Sequence, residues 1–94
     1  MDLSKRYQTD SEVAFQKLGE ETVLVHLATG RIHHTNTTGS RIWELLESGQ
    51  SLGEILATLR DEFDTPPGQL ESEVEKFVEQ LSGEKMVTLR GETA

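Results

Sequence analysis

The chain has 94 residues, 34% of them hydrophobic and 28% charged, with no cysteine and a formal net charge of -8 from 17 acidic and 9 basic side chains. That length supports one domain with a small core, which buries only about 60–65% of the surface its unfolded chain exposes. The missing cysteines exclude a disulfide framework, a thiolate metal site and a cysteine nucleophile, and the acidic balance works against DNA, RNA and anionic membrane as partners while leaving a neutral or basic peptide acceptable.

Residues 1–12 are polar and read as a flexible segment. "MDLSKRYQTDSE" has no apolar run after its basic pair, so it is not read as a secretory signal. No stretch approaches the roughly 20 apolar residues that cross a bilayer, and a cytoplasmic protein is expected. Ordered structure is expected over 13–89, followed by a tail at 90–94. From Val13 the run VAFQKL is strand-like. The run TVLVHLATGRIHHTN then places β-branched residues on both sides of Thr29-Gly30, a hairpin signal. A tight turn there sets Leu27 opposite Ile32 and His26 opposite His33. Val23, Val25, Leu27, Ile32 and His34 then share one face of the sheet, and Leu24, His26, His33 and Thr35 the other. Only the first face is clearly apolar.

Three helices follow. Asn36 or one of the next two threonines caps the first, Ile42, Trp43, Leu45 and Leu46 form its apolar side, and Gly49 stops it. Ser51 to Glu54, SLGE, is a capping box opening the second, with Leu52, Ile55, Leu56, Leu59 and Phe63 at helical spacing. In TPPG, Thr65 is read as the cap and Pro66 as the first position of the third helix. That helix carries Leu70, Val74, Phe77, Val78 and Leu81 and ends near Gly83, and MVTL is a short extended tail. Strands first and helices afterwards make an α+β fold, a three-stranded antiparallel sheet followed by three helices in a winged helix-turn-helix-like order.

The order resembles a known family at particular residues. A Gly-started strand leads to Asn36-x-Thr38-Gly39, a small residue, Ile42-Trp43-x-Leu45-Leu46 and a Gly-ended helix. A closing Leu-x-x-x-x-hydrophobic-Val follows. Over roughly residues 13–89 this pattern resembles the PqqD-like leader-peptide recognition domains. A free-standing chain of this size is similar to the leader-binding half of the split protease of lasso-peptide biosynthesis. Members usually carry an aliphatic residue before the Asn, where this chain has Thr35, and frequently aromatics at the positions of Ile32-His33. The resemblance implies a non-catalytic domain that binds a precursor's leader and works with a separate leader peptidase and cyclase. The same domain type also acts as a chaperone for radical maturation enzymes, and its fold order is shared by winged-helix transcriptional regulators.

The residues themselves offer little chemistry. Three histidines, His26, His33 and His34, fall short of a zinc ligand set, and no cofactor or metal is expected. The serines sit at caps, loops and helix surfaces, none in a Gly-x-Ser-x-Gly turn, and Asp61, Glu62 and Asp64 form a charged helix end rather than an acid–base pair. The third helix offers Glu71, Glu73, Glu75 and Glu79 against the single Lys76, the wrong composition for reading DNA. Trp43 reads as a structural anchor. What remains is an edge. The strand Ile32 to Thr35 has no neighbour on its far side, and its unpaired backbone groups are a template for an extended peptide. By geometry Leu70, Glu73 and Phe77 lie on one margin of the third helix's apolar stripe. The resemblance assigns the leader to the groove between this strand and this helix, matching Ile32, His33, His34 and Thr35 by position and Glu73-Val74 as an acidic-then-aliphatic pair. The candidate peptide-binding set is therefore Ile32, His33, His34, Thr35, Leu70, Glu73, Val74 and Phe77.

Overall fold

A computed structural model describes residues 2–66 and 68–90. Strands β1 (Tyr7–Thr9), β2 (Val13–Leu18), β3 (Glu21–His26) and β4 (Ile32–His34) come first. Helices α1 (Thr37–Glu47), α2 (Leu52–Glu62) and α3 (Gln69–Gly83) follow, and β5 (Val87–Leu89) closes the chain. The α+β expectation of a three-stranded antiparallel sheet followed by three helices holds, with sheet order β2-β3-β4. The segment expected to be loose instead contributes β1, which pairs antiparallel with β5 in a second, two-stranded sheet. Backbone bonds from Leu52 and Gly53 N–H to the Lys5 and Leu3 carbonyls, 2.9 and 2.8 Å, fasten the residues before it to the start of α2. Of the expected tail at 90–94, only Arg90 lies among the described residues.

The hairpin register differs by two residues from the tight-turn expectation. Val25 lies opposite Ile32, Leu24 opposite His33 and Val23 opposite His34, so His26 and His33 do not face each other. The His26 N–H bonds the Arg31 carbonyl at 2.8 Å and the Gly30 N–H returns to the His26 carbonyl at 2.7 Å. The loop thus holds four residues, with Gly30 in the left-handed region at φ 78°. A slip of two keeps every side chain on its expected face.

The buried face is not the clearly apolar one. Thr22, Leu24 and His26 are buried while Val23 and Val25 are only half-buried and Ile32 is 66% exposed. On the less apolar face, which packs on the helices, the threonines and Ser40 satisfy one another, while the Nδ1 of buried His26 has no partner among the described residues. The Thr22 and Ser40 hydroxyls meet at 2.5 Å, and the Thr22 N–H bonds Thr35 Oγ1 at 2.9 Å. Burial then costs little. Leu24 carries the apolar load, and Phe15, across the strand from it, sets its ring edge-on against Trp43 at 5.5 Å.

Both early helices begin as their sequences dictate. The Asn36 side chain accepts the Gly39 N–H, and Ser51 and Glu54 complete a reciprocal capping box. Gly49, at φ 85°, turns the chain out of α1. The third helix starts later than Thr65-Pro66 suggested, because the Gln69 N–H closes on the Pro66 carbonyl at 3.2 Å and makes a turn of its own. Gly68 at φ 88° is the N-cap, its N–H held by the Glu71 carboxylate at 3.2 Å. Ile42, Trp43, Leu46, Ile55, Leu56, Leu59, Val74 and Leu81, none more than 1% exposed, form one core with Leu24, Met86 and Val87. Arg41 clamps α1 to α2 by two bonds to the Glu62 carboxylate, 2.8 and 2.7 Å.

Candidate functional site

The edge of β4 is set by the hydrogen-bond pattern of the hairpin. Thr35 N–H bonds the Thr22 carbonyl at 2.9 Å, and the Arg31 carbonyl receives the His26 N–H. In an antiparallel ladder the bonded residues alternate, so Arg31, His33 and Thr35 point their backbone groups at β3. Ile32 and His34 therefore direct N–H and C=O away from the sheet, where no strand pairs among the described residues. The far edge of β2 is likewise unpaired. β4 leads, through Thr35 and Asn36, to a groove.

That groove has a volume of about 200 Å³ and lies between the start of α1, through Asn36, Thr38, Gly39 and Ile42, and α3, through Glu73, Lys76, Phe77 and Gln80. The α3 residues fall at i, i+3, i+4 and i+7, a single stripe along the helix. The core stripe of Leu70, Val74, Val78 and Leu81 runs beside it. The half-buried Phe77 joins the two sides. Its ring meets the His33 ring edge-on at 5.8 Å, and the Nδ1 of His33 lies 3.3 Å from Oε1 of Glu84, at the far end of α3. Gly39 explains why this motif carries glycine. A Cβ there would stand 3.1 Å from Phe77 Cε1 and 3.2 Å from Thr35 Cβ, inside ordinary packing distance. The glycine lets α3 approach the end of β4.

Of the eight expected site residues, the structure brings together Ile32, His33, His34, Thr35, Glu73 and Phe77. Ile32 and His34 are exposed on the edge, His33 is turned inward against Phe77, and Thr35 is buried under the groove. Leu70 and Val74 are not part of it. They are 3% and 0% exposed and belong to the core, because their side chains point one helical step round, at the other helices. Lys76 and Gln80 were missed, although both lie three residues beyond an expected neighbour on α3. Asn36, Thr38 and Gly39 were read only as cap and motif, and nothing local to the sequence links Glu84 to His33, 51 positions away. Glu73 is half-buried at the margin and accepts from Gln69 Nε2 at 3.3 Å. No group of three or more His, Asp or Glu suited to a metal ion occurs among the described residues, and no described helix is long and apolar enough to cross a membrane.

Fold and site together define a small α+β domain of winged-helix order whose distinguishing feature is an open strand edge leading into a helix-walled groove. The family model described as coenzyme PQQ synthesis protein D (PqqD) matches residues 21–87, from the start of β3 into β5, and the chain belongs to that family. A solved structure described as TbiB1 in complex with the TbiA(beta) leader peptide is similar at 29% identity and a TM-score of 0.79, over 93% of this chain and 99% of that one. Another, described as lasso peptide synthetase B1 complexed with the leader peptide, has the same fold at 20% identity and a TM-score of 0.77, over 87% of this chain and 96% of the other. No curated protein sequence matches the chain significantly.

Proposed function

We propose that this protein is a non-catalytic recognition subunit that binds the leader of a ribosomally made precursor peptide and presents it to a separate leader peptidase and cyclase of lasso-peptide biosynthesis. The observation that carries the reading is the pair of outward-facing backbone positions, Ile32 and His34, on a strand that ends in the Phe77 groove. An extended leader laid along β4 gains register from main-chain bonds. Its inward side chains meet Phe77, Glu73 and Lys76, which supply selectivity. The similarity to a protein solved with its leader, at 29% identity over nearly the whole chain, supports the same use of this surface.

The transcriptional alternative has the fold order but not the surface. The solvent side of α3 exposes Glu75 and Glu79 beside Lys76, and an acidic helix repels the phosphate backbone. The chaperone role beside a radical enzyme shares the peptide site and differs only in the enzyme served. The test is titration of fluorescently labelled leader peptide with the purified chain at about 150 mM salt, where surface attraction between mismatched charges is largely screened. Saturable binding that a scrambled leader does not compete away is expected. Equal affinity for leader and scrambled peptide would overturn the proposal.

A further inference from the structure

The cations of this acidic chain are unevenly engaged. Arg6, Lys17, Arg41 and Arg60 are held by the carboxylates of Glu54, Glu44, Glu62 and Glu71. Lys76 is different. It stands exposed on α3, three residues after Glu73 and three before Glu79, a spacing at which helical side chains can meet. It forms no ion pair with either among the described residues. Lys76 is also the one Lys or Arg among the described residues that line the groove beyond β4. Gln80 lies one turn further along the same wall, and Thr38 stands on the wall made by α1. Glu73, the other charge in the groove, already accepts from Gln69 Nε2 at 3.3 Å.

We propose that Lys76 is a specificity-determining residue, selecting an acidic side chain, Asp or Glu, at the leader position that enters this groove. The proposal rests on leader binding at β4 and deepens it. The donor set fits a carboxylate. The Lys76 ammonium supplies charge and N–H donors, the Gln80 amide adds donors four residues on, and the Thr38 hydroxyl adds another, so both carboxylate oxygens can be met. A basic leader side chain would face like charge at Lys76. An apolar one would cover the ammonium without replacing its water, which costs free energy. The formal net charge of -8 does not oppose an acidic residue here. At physiological salt the Debye length is about 8 Å, so carboxylates spread over the rest of the surface are screened while a contact inside the groove is not. The charge of the whole chain acts on encounter, and Lys76 acts on which leader is retained.

The test is a double-mutant cycle between the full chain and the synthetic leader of the precursor encoded with it, read by fluorescence anisotropy. Each Asp and Glu of the leader is neutralised in turn to Asn or Gln and titrated with wild type, Lys76→Gln and Lys76→Glu. Arg90→Glu, just past β5 and close to Gly49, changes net charge as much as Lys76→Glu does and is the control. Lys76 is exposed and holds no ion pair, so its variants should keep the wild-type urea midpoint. One leader carboxylate is expected to couple to Lys76. Neutralising it should weaken wild-type binding about fivefold or more and leave Lys76→Gln unaffected. Lys76→Glu should lose about tenfold or more, recovered when that leader residue is replaced by lysine, while Arg90→Glu stays within about twofold of wild type. Leader binding with no carboxylate coupled to Lys76, or an equal loss in Arg90→Glu, would overturn the assignment and leave leader recognition standing. A basic leader residue coupled to Glu73 in place of an acidic one coupled to Lys76 would overturn it as well. Failure of the wild type to bind leader would overturn both readings.

Discussion

Replacing His34 by proline separates strand addition from every other way a peptide could sit on this surface. The His34 N–H points outward from β4 and makes no backbone bond within the sheet, so its loss costs the fold little. His33 before it is already in a strand, as a residue preceding proline requires. In the complex the same N–H would donate to a leader carbonyl. Removing it forfeits a net hydrogen bond of about 0.5–1.5 kcal/mol and leaves that carbonyl against a proline ring, for about 1–3 kcal/mol more. The sum, about 1.5–4.5 kcal/mol, is a loss of roughly 10- to 1,000-fold in affinity. His34→Ala keeps the N–H and should stay within about threefold of wild type. His33→Pro is the reciprocal control. Its N–H faces Leu24 in the ladder, so that substitution damages the hairpin itself, and each kcal/mol lost lowers Tm by about 4–8 °C in a domain of this size. Leader affinity by fluorescence anisotropy and folding by circular dichroism in urea read out both effects. A folded His34→Pro protein with wild-type leader affinity would refute pairing at β4.

Glu73→Ala, at the groove margin, should weaken leader binding severalfold at unchanged urea midpoint, whereas Phe77→Ala, whose ring also packs on the core, should lose affinity together with about 3–5 kcal/mol of stability; unchanged affinity in folded Glu73→Ala removes that carboxylate from the site. Gly39→Ala gains up to about 1 kcal/mol of helix propensity but pushes Phe77 out of place, so stability should barely move while leader affinity falls, and a variant stabilised with affinity intact would show that the close approach is unnecessary. The Arg41 hydrogen bond holds the Glu62 carboxyl below the usual carboxylate range, and the Lys17 bond does the same for Glu44. Carboxyl groups depressed in the folded state contribute stability that is complete at neutral pH and is lost as pH falls below the ordinary glutamate value of about 4.3. The two carboxylates are about one-third exposed and Lys17 about half, so each pair contributes no more than about 1 kcal/mol, and Arg41→Gln should flatten the acid limb of a urea-midpoint profile; an unchanged limb would contradict the assignment.

The local signals were the legible ones. Asn36 and the Ser51–Glu54 capping box announce α1 and α2 because a cap acts within three residues, and helical spacing announces their buried sides. Long-range events were not legible. β1 is three residues with no alternation to betray it, and its partner lies 80 positions on. The buried sheet face was not legible from side-chain polarity, because polarity is read without partners: Thr22, Ser40 and Thr35 are polar alone and satisfied together. On α3, Glu73 and Phe77 were placed on the groove margin, while Leu70 and Val74 proved to be core. Helical spacing gives an angle round the axis, but where core ends and groove begins depends on what packs against the helix. The open β4 edge itself was legible, since it follows from strand order alone.

The most direct test of strand addition is residue-resolved amide exchange with and without leader. The outward amides of Ile32 and His34 should exchange slowly only when leader is bound. Those of His33 and Thr35, already paired with β3, should be slow in both states, and amides along the unpaired edge of β2 should not change. Slowing confined to β2, or to α1 and α2 with Ile32 and His34 unaffected, would contradict recognition at β4 and move the peptide site elsewhere.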